Sequence, residues 1–197
     1  MYQSLTIVFL AFVFQLLSIN MAKAQALFNP KIGTEVWSFK DEVDLDDGSH
    51  HSGQTVGFDM FIADSRFLFV PGFHYHHISI LNKKEGLNFK IDDENHVHYF
   101  SIPMTVGYKI FDLAVVDLSA QGGGEVFFYY DLDQKNDLGL VDDQMYGVSA
   151  TITGMIHTTI FNFITADIKY RYGLLPIIRE RPDSKMQGWT IDFGIMF

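Results

Sequence analysis

The chain has 197 residues, 48% of them hydrophobic and 15% aromatic, with a formal charge of −10. That length suits one domain, and the negative balance argues against nucleic acid or an anionic lipid surface as the main partner. With no cysteine, disulfides, thiolate metal centres and a lipoprotein anchor are excluded as well.

The apolar run at residues 5–17, "LTIVFLAFVFQLL", is too short for a comfortable membrane helix. Polar Ser18 and Asn20 follow, then Ala22-Lys23-Ala24 in a small-x-small arrangement. Residues 1–24 are therefore expected to be a cleaved secretory signal peptide, and 25–197 a single exported domain. No Lys or Arg precedes the run, so an uncleaved anchor is the alternative. No later run of about 18 apolar residues offers a spanning helix.

Beyond Gln25 the pattern has period two. The first predicted strand covers about 30–40, and an acidic connection, 41–53, follows. The second strand, 54–62, turns tightly through Asp64-Ser65 into the third, 66–81. A long connection, 82–95, leads to the fourth, 96–110, with a tight turn at Phe111-Asp112 before the fifth, 113–130. After the connection 131–144 comes the sixth strand, 145–156. His157-Thr158 turns the chain into the seventh, 159–173, and 174–187 precedes the closing strand, "GWTIDFGIMF". Eight strands joined alternately by long and short connections predict an all-β fold: an eight-stranded antiparallel transmembrane β-barrel with short periplasmic turns and longer extracellular loops.

The predicted faces agree with lipid outside and a polar lumen. In strand seven Ile164, Ala166, Ile168, Tyr170 and Tyr172 oppose Thr165, Asp167, Lys169 and Arg171. In strand four Phe100, Ile102, Met104, Val106, Tyr108 and Ile110 oppose Ser101, Thr105, Gly107 and Lys109. Tyr129, Tyr130, Tyr146, Tyr170, Tyr172 and Trp189 fall near strand ends, where aromatic girdles belong. Pro103 in mid-strand suggests a bulge. Charges in lipid are strongly unfavourable, so Asp59, Lys109, Asp117, Asp167, Lys169, Arg171 and Asp192 are expected to form a luminal ionic network, with Asp192 near Lys169.

"SIPMTVGYKIF", the following "LSAQGGGEVFFYYD" and the terminal Phe resemble the PorT-like family of small outer-membrane β-barrel proteins, over most of residues 28–197. The resemblance implies insertion through the C-terminal strand, with Phe193 and Phe197 as the signal read by the barrel-assembly machinery. It also places the chain among proteins of the bacterial outer membrane, in contact with lipid and lipopolysaccharide. The family's name member is tied to secretion, but no motif here carries that role over, and a cell-envelope protein partner is left unidentified.

Four further features carry chemistry. His74, His76, His96 and His98 would form a Zn²⁺ or Cu²⁺ site if His76 falls opposite His98; the plainer reading places them in a girdle or loop base. His77 and Ser79, with Glu85 and Glu94 nearby, loosely resemble the His-x-Ser of outer-membrane lipid A deacylases, which need a hydroxyl, a base and an orienting carboxylate. The acidic groups Asp44, Asp46, Asp47 and Asp131, Asp133, Asp137 lack EF-hand spacing, Lys135 standing at a ligand position; they read as solvated loops. "QGGGE" lies within a strand with no following Lys-Ser/Thr helix, so it is not a phosphate loop. The expected protein is non-catalytic and without cofactor, its function carried by surface loops or by a membrane-integrity or secretion-accessory role. The alternatives are the His77/Ser79 hydrolase and a soluble periplasmic lipocalin-like binding barrel, which would hold its large apolar residues inside.

Overall fold

The computed structural model describes residues 25–39, 51–81, 94–113, 115–133, 147–176 and 185–197. Eight antiparallel strands form one closed barrel in sequence order: β1 (Gln25–Phe39), β2 (His51–Asp64), β3 (Phe67–Leu81), β4 (Glu94–Asp112), β5 (Val116–Asp133), β6 (Val148–Ile160), β7 (Ile164–Gly173) and β8 (Met186–Ile195). Closure joins β1 to β8 from Lys31↔Gly194 to Phe39↔Met186. The Phe28 and Phe197 backbones extend it by reciprocal bonds of 2.8 and 2.9 Å. A closed ladder leaves no strand edge unpaired.

Period-two alternation sends alternate side chains to opposite walls. The outer wall is apolar: Ile32, Val106, Ile152, Ile168, Ile191 and Phe193 are all exposed, Ile32 at 66%. Aromatic rings chain across it, Phe28 to Phe58 at 5.0 Å, Phe28 to Phe197 at 5.6 Å and Phe73 to Phe100 at 5.5 Å. Tyr170 and Trp189 pair at 4.8 Å nearer the other end. The inner wall is buried and largely polar, with apolar layers only toward its two ends, whereas a lipocalin-like barrel would hold its large apolar residues throughout.

Side chains fill the bore in layers, as eight-stranded geometry demands. Phe61, Leu68, Val70 and Met196 pack together at the end bearing the tight turns. Charged groups occupy the middle. Trp37, Tyr99 and Phe127, with centroids 5.2–6.4 Å apart, lie beyond them.

Two expected turns fall elsewhere. β4 continues through Phe111-Asp112, and the Leu113 N–H bonds the carbonyl of Val116, where β5 begins. β6 continues through His157-Thr158 to Ile160, and Phe161 and Asn162 turn with φ of 53° and 62°. His157 is an inward-facing strand residue, not a turn residue. Pro103 makes no bulge either. It stands opposite Glu125 in unbroken register, and the β4–β5 shifts lie at His98/Tyr99 and Lys109/Phe111. A proline removes a donor without inserting a residue, so bonds are lost while register is kept. The expected signal peptide, Glu85 and the groups at 44–47, Lys135, Asp137 and Tyr146 lie outside the described residues.

Candidate functional site

The charged layers of the lumen form two adjacent clusters, which meet where the His74 and His76 rings lie 6.0 Å apart. In the first, Lys31 of β1 reaches Asp59 of β2 at 2.5 Å and also pairs with Asp167 of β7. Asp167 lies 2.5 Å from His157 Nδ1, whose Nε2 is 3.0 Å from Thr159 Oγ1. Asp59 lies 2.9 Å from His74 Nε2, and Lys169 lies 3.8 Å from Asp192 on the adjacent strand. Glycines make the space: a Cβ on Gly33 would overlap the Asp192 carboxylate, and one on Gly72 would overlap that of Asp59.

Arg171 organises the second cluster. Its Nε lies 2.5 Å from Glu125 Oε2 and its Nη1 3.3 Å from Glu35 Oε2. Nη1 also donates to Thr190 Oγ1, and Cζ sits 5.3 Å from the Trp37 ring centroid. His76 stacks on Tyr99 at 4.4 Å. Its Nδ1 is 3.0 Å from Glu35 and its Nε2 2.9 Å from Ser101 Oγ. Ser101 in turn donates to Glu125 Oε1 at 2.6 Å. Ser101, His76 and Glu35 thus share the connectivity of an acyl-transfer triad. All three are buried, however, and the Ser101 proton goes to Glu125, so Ser101 is presented neither to solvent nor to the outer wall.

Charges so far from water are tolerated only when paired and hydrogen-bonded. This arrangement therefore ties β1, β2, β3, β4, β5, β7 and β8 together across the bore, through Lys31, Asp59, His76, Ser101, Glu125, Arg171 and Thr190. It fills the middle of the described bore with buried side chains.

The structure brings Asp59, Asp167, Lys169, Arg171 and Asp192 into this interior. Lys109 and Asp117 stand apart from it. They lie on the last rungs beside the β4–β5 turn, are about a fifth exposed, and pair with each other at 3.7 Å.

The four-histidine arrangement does not assemble. The β3–β4 register sets His76 opposite Tyr99 and His77 opposite His98, one residue from the expected pairing. His74 and His76 therefore face the lumen, while His98 stacks on His77 at 4.7 Å and bonds Tyr75 Oη at 2.6 Å on the other wall. His96 pairs with Ser79 in the ladder; their side chains, with those of Glu94, Tyr129, Tyr130, Asp131 and Asp133, lie outside the described residues. Phe193 and Phe197 are outward and exposed.

Sequence reasoning missed Lys31, Glu35, Ser101 and Glu125 as parts of a site. The available signal was parity: Lys31 and Glu35 share a face of β1 with Trp37, against Ile32, Thr34 and Val36.

No family model and no curated protein matches the chain. Among solved structures, Neisserial surface protein A is similar at 12% identity and a TM-score of 0.50, covering 88% of this chain and 99% of its own. Ail, the attachment invasion locus protein of Yersinia pestis, solved in complex with the heparin analogue sucrose octasulfate, is similar at 13% identity over the same shares, with a TM-score of 0.49. The chain has the fold of the small eight-stranded outer-membrane barrels.

Proposed function

We propose that the chain is a non-catalytic integral protein of the bacterial outer membrane, whose barrel serves as a closed mount for surface connections. The observation that carries this reading is the inversion of the two walls. Ile32, Val106 and Phe193 face outward, while Arg171, Lys169 and Glu125 are buried within. Such a surface is stable against hydrocarbon and unstable in water. The filled lumen argues against a diffusion pore. Function then falls to the segments between β1 and β2, β3 and β4, β5 and β6, and β7 and β8, acting in surface contact, membrane integrity or support of secretion. Lipid, lipopolysaccharide and the barrel-assembly machinery are its proposed partners, with Phe193 and Phe197 as the insertion signal and residues 1–24 as its export signal. The Ile-Pro strand and the glycine-rich strand after it support a PorT-like relationship.

Cell fractionation tests the location. The protein is expected to sediment with the outer membrane, and unheated detergent samples to migrate differently from boiled ones. Recovery as a soluble periplasmic monomer would refute it. Replacing each long connection by a short turn tests the mount: the barrel is expected to persist while the cellular phenotype is lost.

A further inference from the structure

The described lumen carries an unbalanced charge. Five buried carboxylates (Glu35, Asp59, Glu125, Asp167 and Asp192) face three permanent cations, Lys31, Lys169 and Arg171. Two negative charges are left over when the buried histidines are neutral, and in a dry interior that imbalance is severe.

A second observation lies in the same place. His74 and His76 of β3 and Glu125 of β5 each offer a ligand atom, all within 4.8 Å of one another, and all three residues are buried. Each imidazole already has one nitrogen engaged by a carboxylate: His74 Nε2 by Asp59 at 2.9 Å and His76 Nδ1 by Glu35 at 3.0 Å. The other nitrogen of His74, Nδ1, is buried with no hydrogen-bond partner among the described residues. A carboxylate holding the far nitrogen of each ligating histidine is the usual outer shell of a bound metal, since it fixes tautomer and ring orientation. Arg171 grips Glu125 through Oε2 at 2.5 Å and Oε1 at 3.3 Å, and Oε1, which also accepts from Ser101 at 2.6 Å, lies 3.9 Å from His76 Nε2.

We propose that the barrel lumen holds one divalent transition-metal ion, Zn²⁺ by ligand chemistry, between His74 Nδ1, His76 Nε2 and Glu125 Oε1. Two neutral imidazoles and one carboxylate form a borderline nitrogen-oxygen set that suits Zn²⁺. Bonds of about 2.0–2.1 Å require the three ligand atoms to close in by roughly an ångström from their present spread. The ion neutralises the two residual negative charges. It also resolves the protons around Ser101. That hydroxyl has one proton, given to Glu125, so its contact with His76 Nε2 otherwise needs His76 to be doubly protonated between two carboxylates. This assignment replaces the cofactor-free lumen and the four-histidine site expected from sequence. It is independent of where the barrel resides.

The test uses the full chain folded in detergent, stripped with a chelator, loaded with Zn²⁺ alone and desalted. Metal content is read by plasma mass spectrometry, and folding by heat-modifiable migration of the same samples. One zinc per folded chain is expected, with His98→Ala retaining it. His74→Gln and Glu125→Gln are expected to lose it while still migrating as folded barrels. Asp59→Asn is expected to weaken affinity about 10- to 100-fold, read against a competing chelator. Should His74→Gln fail to fold, nitrogen-15 spectra of wild-type imidazoles decide: a shift of His74 Nδ1 and His76 Nε2 on adding zinc supports the site. Folded wild-type protein that desalts free of zinc would overturn the proposal. So would equal zinc in folded wild-type and His74→Gln.

Discussion

Arg171 is the side chain on which the luminal network depends most. It holds Glu125 and Glu35 and donates to Thr190, with no exposed surface. Arg171→Met would leave two carboxylates buried without their cation, and breaking a buried pair from one side typically costs about 3–5 kcal/mol. Refolding titrations in detergent are expected to show a loss of that order. Adding Glu125→Gln to the Arg171→Met protein should recover part of it, since one stranded charge is then removed. Glycines give a second contrast at this scale. An added Cβ at Gly72 would meet the Asp59 carboxylate and also the Phe58 carbonyl at 2.9 Å, whereas nothing lies within 4 Å of one at Gly154. Gly72→Ala is expected to cost about 1–3 kcal/mol by overpacking. Gly154→Ala should stay within about 0.5 kcal/mol of wild type. Equal effects in the same titration would mean that Asp59 does not occupy the space Gly72 leaves.

Strand β8 shows how the two walls discriminate within ten residues. Phe193 is 59% exposed, while Asp192 and Thr190 are buried. On a lipid-facing wall Phe193→Arg should cost roughly 2–4 kcal/mol near the midplane. Asp192→Ala removes a carboxylate that lies 3.8 Å from Lys169 and makes no hydrogen bond among the described residues. Its cost should lie between those of Phe193→Arg and Thr190→Ser. Thr190→Ser keeps the hydroxyl that accepts from Arg171 and should be almost neutral. Should Phe193→Arg prove as mild as Thr190→Ser in lipid refolding titrations, the outer wall does not meet hydrocarbon. Strands such as β7 and β8 were legible from sequence because their inward residues are polar and their outward ones apolar. β3 was not, because inward Leu68, Val70 and Ile78 are as apolar as its outward phenylalanines, while outward His77 looks like an inward residue. Without a parity signal the β3–β4 register slipped by one, and the histidine pairing went with it. His157 failed for the opposite reason. A polar residue beside threonines reads as a turn, yet here it faces Asp167 inside the barrel. Glu35 and Glu125 are single charges in separate strands, and only closure of the ladder brings them to Arg171.

At the scale of the whole molecule, the tight turns and both ends of the described chain share one rim, and the strand ends that lead into the four long connections share the other. Proteases added to whole cells are expected to cut within 41–50 or 134–144 while sparing Asp64, Asp112 and Phe161. Earlier cleavage at the tight turns would invert the proposed orientation. The account rests on one physical claim, that the apolar wall meets lipid while the lumen holds the charge. The absence of cysteine allows a direct measurement. Single cysteines at Ile32, Val106, Ile152, Ile168 and Ile191 would carry a fluorophore in protein refolded into vesicles, with quenchers placed either on lipid chains or in water. All five positions are predicted to be quenched from the lipid and shielded from aqueous iodide. Quenching by iodide alone at these positions would contradict the account.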